Sequence, residues 1–259
     1  MRWTLKPKPD ETLVAELSGR LGVPSTIAYL LVQRGIKTFA EAKKFFRPSL
    51  DDLHDPFLMQ DMRQAVDRIN LAIKNGENIL VYGDYDVDGT TSVALMRSYL
   101  EAQGAAVASY IPDRYTEGYG VSIQGIDFAH DNDMALIVAL DCGIKAKEKV
   151  AYANKLGIDF IICDHHRPGP EIPDCVAVLD PKREDCNYPY DELCGCGVGF
   201  KLIQALHQCQ DLPVTTLVPY LDLVATAIAA DIVPITGENR VLAHFGLEVI
   251  NTLPRNGIR

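Results

Sequence analysis

Short unbroken apolar runs punctuate this chain, each followed by a polar loop and then by apolar positions at helical spacing. The runs at 79–82, 135–140 and 160–163 are rich in Val, Ile and Leu and too short for buried helices. Such runs mark strands buried on both faces of a parallel sheet. The pattern predicts strands near 79–83, 106–111, 135–140, 159–163 and 176–179. Helices are expected near 90–103, 122–130, 145–156, 197–209, 216–230 and 238–252. Strand–loop–helix repetition of this kind gives an α/β fold of about five parallel strands, with right-handed crossovers and helices on both faces.

Residues 1–75 carry no strand pattern and read as a helical lead-in to a catalytic domain over 76–259. Thr38-Phe39-Ala40-Glu41 is a capping box opening a helix with Ala42, Phe45 and Phe46 as its apolar positions, stopped by Pro48. A further helix is expected from 58 to 74, with Gly76 beyond its end. There is no internal repeat and no low-complexity segment. The closing residues 253–259 follow an amphipathic helix without a tail, which reads as a cut in a longer polypeptide.

Composition narrows the class. Of 259 residues, 47% are hydrophobic and 23% charged, enough for a real core. No apolar stretch is expected to reach the roughly 18 residues of a spanning helix, and the N-terminus lacks the apolar region of a leader. Seven cysteines without Cys-x-x-Cys spacing read as reduced thiols of a cytoplasmic protein, and Cys194 and Cys196 among them as buried free thiols. A formal charge of −10 is unlike a general nucleic-acid binder. A polyanion could still bind through cations and a local basic stripe.

Where the apolar runs end, acids begin. Asp84, Asp86 and Asp88 alternate directly after the first run, Asp141 closes the second, and Asp164-His165-His166 follows the third. In open α/β sheets ligands sit at the carboxyl ends of the strands. Carboxylates this crowded raise one another's pKa unless a cation neutralises them. Oxygen and imidazole ligands together suit Mn²⁺ or Mg²⁺. Two such ions about 3.5–4 Å apart clamp a phosphoryl group and activate a water. Asp231 ends an almost wholly apolar helix, where a lone buried carboxylate is costly and a metal would give it a partner. Gly89 is read as relieving the turn, and Thr90 or Thr91 as capping the next helix.

Two other patterns share some of these residues. Asp84-x-Asp86-x-Asp88-Gly89 reads like an EF-hand calcium loop, but its twelfth position is Leu95 instead of Glu, and a strand precedes it. Asp86-x-Asp88-Gly89-Thr90 matches the opening of haloacid-dehalogenase-type phosphatases, whose nucleophilic Asp sits directly at a strand end. Here Gly83-Asp84-Tyr85 intervenes, and Asp164-His165-His166 is left without a role.

Together the motifs resemble the DHH phosphoesterase family, and within it the RecJ-type single-stranded-DNA exonucleases. The resemblance rests on Tyr82-Gly83-Asp84-Tyr85-Asp86-Val87-Asp88-Gly89, Leu140-Asp141-Cys142-Gly143, Asp164-His165-His166 and Ala230-Asp231-Ile232-Val233-Pro234, in that order. The stretches 111–120, 195–201 and 31–36 narrow it to the RecJ-type branch. The resemblance implies two Mn²⁺ or Mg²⁺ ions held by Asp86, Asp88, Asp141, His165, His166 and Asp231. Asp141 would bridge, Asp88, His165 and Asp231 would surround one ion, and Asp86 would lead the shell of the other. Asp141, His166 and Asp84 would stand at the chemistry, with His166 a ligand or a donor to the scissile phosphate. Asp84 and Asp164 would orient ligands and imidazoles.

The implied reaction is in-line attack of activated water on single-stranded DNA from its 5′ end, releasing 5′-mononucleotides in DNA repair and recombination. Implied partners are single-strand-binding protein and a helicase, with no membrane. A relative acting on short oligonucleotides, cyclic dinucleotides or pyrophosphate would share the metal centre. A silent scaffold in a replication assembly would be expected to lack ligands, and none of the six is missing. The family's smaller second domain and nucleic-acid-binding extension would follow Arg259.

Arg114 could grip a phosphate, and Tyr115 or Tyr119 could stack on a base, within a flexible stretch ending at the helix cap Ser122. His130, His207 and His244 read as surface or packing residues and His54 as solvated. Lys43, Lys44 and Arg47 with Phe45 and Phe46 could touch DNA, although an amphipathic helix accounts for them. Lys145, Lys147, Lys149 and Lys155 read as a solvated helix face.

Overall fold

Five of the apolar runs pair as parallel strands: β1 (Asn78–Gly83), β2 (Ala106–Tyr110), β3 (Met134–Leu140), β4 (Asp159–Cys163) and β5 (Ala177–Leu179). Their order is β2-β1-β3-β4-β5, so the direction of winding reverses between β1 and β3. That reversal opens the crevice in which doubly wound sheets bind ligands. The computed structural model describes residues 3–259 in two units, one ending at Asp52 and one running Leu53–Arg259.

The first unit holds α1 (Glu11–Leu21), α2 (Ser25–Gln33) and α3 (Phe39–Phe46). Val14, Leu17, Ala28, Leu31 and Val32 form its core. The capping box on α3 is present: Glu41 N–H donates to Thr38 Oγ1 (3.2 Å) and Thr38 N–H to Glu41 Oε2 (3.0 Å). Of the apolar positions expected on α3, Ala42 is buried while Phe46 is 51% exposed.

The second unit carries α4 (Met62–Asn75), α5 (Val87–Ala102), α6 (Ile123–Asp131), α7 (Lys147–Lys155), α8 (Gly195–Gln208), α9 (Leu221–Asp231) and α10 (Gly237–Thr252). Leu80, Tyr82, Ile137, Ala139, Phe160 and Ile162 alternate onto the sheet face covered by α6 and α7. On the other side α5 packs on β1 and β2, α8 on β3 and β4, and α4 on β5. The division at 52/53 corrects the boundary expected at 75/76. Helix α4 buries Met62, Ala65, Val66, Ile69 and Ala72, one helical stripe, and packs on α8 and β5. Its pattern announces a buried face without saying what that face meets.

A second correction concerns apolar length. Residues Val214–Asp231 do reach the length and mean hydropathy, 1.3, of a spanning helix. The stretch is two helices, a 3-10 segment Val214–Tyr220 containing Pro219 and then α9. Leu221, Val224, Ala227 and Ile228 of α9 are buried, and α9 packs on α5, α8 and α10. Its apolarity is that of a core helix.

Candidate metal centre

Strand register places Gly83, Leu140, Cys163 and Leu179 in one row across β1, β3, β4 and β5. The next residue of each strand is an aspartate: Asp84, Asp141, Asp164 and Asp180, all buried. Side by side at one sheet edge, four buried carboxylates need partners or protons.

Each has a different solution. Asp164 accepts from the N–H of Ile144 (2.9 Å), His165 (2.7 Å) and His166 (3.1 Å), and its Oδ1 lies 2.7 Å from His166 Nδ1. Burial alone would raise its pKa, but the His166 imidazole and these N–H groups hold it below the usual carboxylate range. The same contact raises the pKa of His166. Asp84 accepts the N–H of Gly120 (3.3 Å), and burial pushes it up. Asp180 accepts from Lys182 N–H (2.8 Å), its Oδ2 has no hydrogen-bond partner, and burial pushes it up to about 7.

Asp141 is the least satisfied. Its backbone sits in the left-handed region (φ 60°), its N–H donates to Cys163 O (2.8 Å), and its buried Oδ1 has no hydrogen-bond partner. Such a conformation in a non-glycine residue costs about 1–3 kcal/mol and clusters at functional sites. Burial first, then the Asp88 and Asp86 charges, push its pKa strongly upward.

Asp88 reaches the same point from the first turn of α5. Both its oxygens accept backbone N–H groups at the start of α8, from Gly195 (2.7 Å to Oδ2) and Cys196 (2.7 Å to Oδ1). A Cβ on Gly195 would lie 2.5 Å from Asp141 Cβ and 2.6 Å from its Oδ1. The glycine therefore lets α8 pin Asp88 while passing against Asp141. Helix α5 starts earlier than expected, with Asp86 as its N-cap accepting from Gly89 N–H (2.9 Å), while Thr90 and Thr91 donate to carbonyls of that turn. Gly89 serves close approach, not turn geometry: a Cβ there would lie 2.4 Å from Asp84 O.

His165 stands among these acids. Its Nε2 is 3.2 Å from Asp141 Oδ1 and 3.8 Å from both Asp88 Oδ2 and Asp231 Oδ2, yet makes no hydrogen bond. Burial pushes its pKa down to about 4, so the ring is neutral and keeps a lone pair free. Ligand atoms of Asp88, His165 and Asp231 lie within 4.8 Å of one another, as do those of Asp141, His165 and His166. One imidazole nitrogen serves one ion, so His165 belongs to one of the two groups. Hard oxygens, a neutral imidazole and orphaned buried atoms fit divalent cations of the Mn²⁺ or Mg²⁺ kind.

The electrostatics predict how the metal-free chain responds to pH. Asp88, pushed up to about 7 mainly by burial, and Asp141, pushed further, bind protons when folded that they lose on unfolding. Their folded pKa values exceed the unfolded ones, so stability falls as pH rises through the folded values. His166, also raised, acts in the same direction. In EDTA the Tm should fall from pH 5 to pH 8, and Mn²⁺ should flatten or reverse the slope. A Tm rising over that range in EDTA contradicts this account.

Other expected residues separate into those brought in and those left out. Asp86 is exposed and outside both ligand groups. Asp231 is not the buried carboxylate expected; its side chain is 30% exposed. The Arg114 guanidinium lies 5.2 Å over the Tyr85 ring, Tyr85 meets Tyr119 edge-on at 6.3 Å, and Tyr119 OH lies 3.2 Å from His166 Nε2. Tyr85 was missed because it is a spacer between two more conspicuous acids. Tyr115, 93% exposed, stands outside that line. The stretch expected to be flexible is tied down: Glu117 accepts from Asp113 N–H (2.8 Å), Tyr110 OH (2.8 Å) and Ser122 Oγ (2.6 Å).

Ser122 caps α6 as expected, accepting from Gly125 N–H (2.9 Å). Lys149 departs from the solvated face, donating from a half-buried position to Val121 O. His54 is half-buried, its N–H donating to Glu238 Oε1 (2.9 Å) and its carbonyl accepting from Lys201 Nζ (2.7 Å). Cys194 and Cys196 are buried free thiols as expected.

The DHH family N-terminal domain matches residues 78–228, from β1 into α9, covering every strand and the positions of Asp86, Asp88, Asp141, His165 and His166. The chain belongs to the DHH family. Among characterised DHH relatives it is similar to the single-stranded-DNA-specific exonuclease RecJ of Bacillus subtilis (strain 168), 42% identical over all of this chain. The RecJ of Escherichia coli (strain K12) is 34% identical over 93% of it. The chain spans 32% and 42% of these two relatives' lengths. A crystal structure of RecJ from Thermus thermophilus in complex with Mn²⁺ superposes with a TM-score of 0.80 at 29% identity, covering 96% of this chain and 35% of that one. A second RecJ structure, bound to manganese, gives 0.70 at 34% identity over 78% and 50%.

Proposed function

We propose that this chain carries the catalytic centre of a metal-dependent phosphodiesterase that degrades single-stranded DNA from its 5′ end to 5′-mononucleotides, in DNA repair and recombination. The observation that carries this reading is the convergence of Asp88, Asp141, His165 and Asp231, far apart in sequence, within reach of shared cations. The similarity to RecJ exonucleases, two of them crystallised with manganese, supports the substrate and the metal. Asp88, His165 and Asp231 would hold one Mn²⁺ or Mg²⁺ ion. Asp141 would bridge to a second, whose shell Asp86 would lead.

The chemistry such a pair supplies when bound is Lewis acidity toward a phosphoryl oxygen and a lowered pKa for an attacking water. The chain's residues do the rest. Asp164 holds His166 Nδ1, so that the imidazolium can offer Nε2–H to a non-bridging oxygen of the scissile phosphate. Asp84, behind the loop at Gly120, would fix the approach of Tyr119. Arg114, Tyr85 and Tyr119 would take the phosphate and base next to the cut. Single-stranded DNA is the proposed partner in the cytoplasm, with single-strand-binding protein and a helicase as proposed suppliers of that substrate.

The test is product formation from 5′-labelled oligo(dT) in Mn²⁺, compared with a cyclic dinucleotide and pyrophosphate. Mononucleotides from the 5′ end, with the small substrates slower, are expected. Faster turnover of either small substrate would overturn the DNA assignment. Arg114→Ala should weaken oligonucleotide binding about tenfold, the value of one charge-assisted hydrogen bond, with Mn²⁺ affinity retained by calorimetry. Unchanged oligonucleotide affinity would remove Arg114 from the binding surface.

A further inference from the structure

Charge is distributed unevenly along this acidic chain. Residues 1–52 carry nine basic and six acidic residues, whereas 53–259 carry sixteen and twenty-nine. Between positions 34 and 47 there are five basic residues and one acid, Glu41, whose carboxylate is engaged by the backbone N–H groups of Lys37 and Thr38.

Helix α3 carries part of this charge in a pattern that core packing does not explain. The helix buries Ala42, while Phe39 and Phe46 remain 48% and 51% exposed. Phe39, Lys43 and Phe46 stand at i, i+4 and i+7, one stripe of the helix with a cation between two rings. Arg47 follows at its end. Lys43 and Arg47 are exposed and make no ion pair among the described residues. Phe46 meets Phe45 edge-on at 5.4 Å and still leaves half of its surface in solvent beside the two cations. Interleaved rings and cations are the composition of surfaces that hold single strands, rings stacking on bases and cations tracking phosphates.

We propose that the Phe39–Lys43–Phe46 stripe, with Arg47, is a second holding surface for single-stranded DNA, separate from the metal centre. The proposal rests on the reading that single-stranded DNA is the substrate. Its unmatched basic charge favours a polyanion over a protein partner, and its rings favour unpaired bases over a duplex.

The test uses the full chain and fluorescein-labelled dT20 in EDTA, where no hydrolysis occurs, with anisotropy read across a salt series. Lys43→Glu with Arg47→Glu should weaken binding about tenfold or more and lower the log–log salt slope by about 1.4, the value for two lost single-strand phosphate contacts. Phe39→Ser with Phe46→Ser should weaken binding about tenfold with the slope unchanged, as expected for lost stacking. Unchanged helicity by circular dichroism keeps both pairs interpretable. Wild-type affinity and slope in both double variants would overturn the proposal. Hydrolysis of bis-p-nitrophenyl phosphate by the wild-type chain in Mn²⁺ tests the metal centre separately. Its absence would sink the phosphodiesterase reading while leaving the dT20 comparison to decide this one.

Discussion

Gly195→Ala should cost the chain its metal affinity while leaving the fold standing. The added Cβ would lie 2.5 Å from Asp141 Cβ and 2.8 Å from its Cα, contacts that no rotation of a side-chain end can relieve. Asp141 cannot easily retreat, because its backbone is held by Cys163 and already sits in the left-handed region. The first turn of α8 must therefore move, and it carries the two N–H groups that fix Asp88. Both Asp88 and Asp141 lose their spacing at once. Overpacking of this kind costs about 1–3 kcal/mol of stability. Loss of the groups that orient a metal ligand typically costs about 10–100-fold in metal affinity. Calorimetry with Mn²⁺ should show a loss of that size or more, with the hydrolysis rate falling alongside. Gly197→Ala is the control, since its Cβ would meet Leu193 at 3.3–3.4 Å and no ligand. Equal Mn²⁺ affinity in the two variants would mean that α8 does not set the ligand geometry.

Asp141→Asn is expected to move function and stability in opposite directions. Asparagine tolerates the left-handed backbone and preserves shape, so only charge is removed. Without metal, the carboxyl of Asp141 stays protonated in the folded state and ionises on unfolding, which penalises folding more as pH rises. The variant should therefore melt higher than wild type in EDTA, with a larger gap at pH 8 than at pH 5. With Mn²⁺ the order should reverse: wild type gains Tm by ligand binding, and the variant gains little. Hydrolysis should fall by more than about a hundredfold, the upper figure for groups that merely support a ligand. A variant that hydrolyses at the wild-type rate, or that gains the full Mn²⁺ shift, would remove Asp141 from the site.

The parts of the fold legible in the sequence are those where burial is complete. Strands β1, β3 and β4 lie under helices on both faces, so their runs are uninterrupted, and the acids that end them stand out. Asp180 escaped because β5 is only three residues long, too short for its terminal acid to be conspicuous. Asp86 shows the limit of reading by spacing, since the alternation that brings Asp88 inward leaves Asp86 at the helix cap, exposed. The hold of Gly195 and Cys196 on Asp88 joins residues more than a hundred positions apart. Small residues at 195–199 signal a close approach, but no local pattern says to what. The apolar stripe of α4 likewise could not say which unit it joins.

The most direct measurement is an anomalous difference map from crystals of the full chain soaked in Mn²⁺. Two peaks are expected beyond the β1, β3 and β4 ends, one within ligand distance of Asp88, His165 and Asp231, both sharing Asp141. No peak there, or peaks only at surface carboxylates elsewhere, would contradict the account at its root.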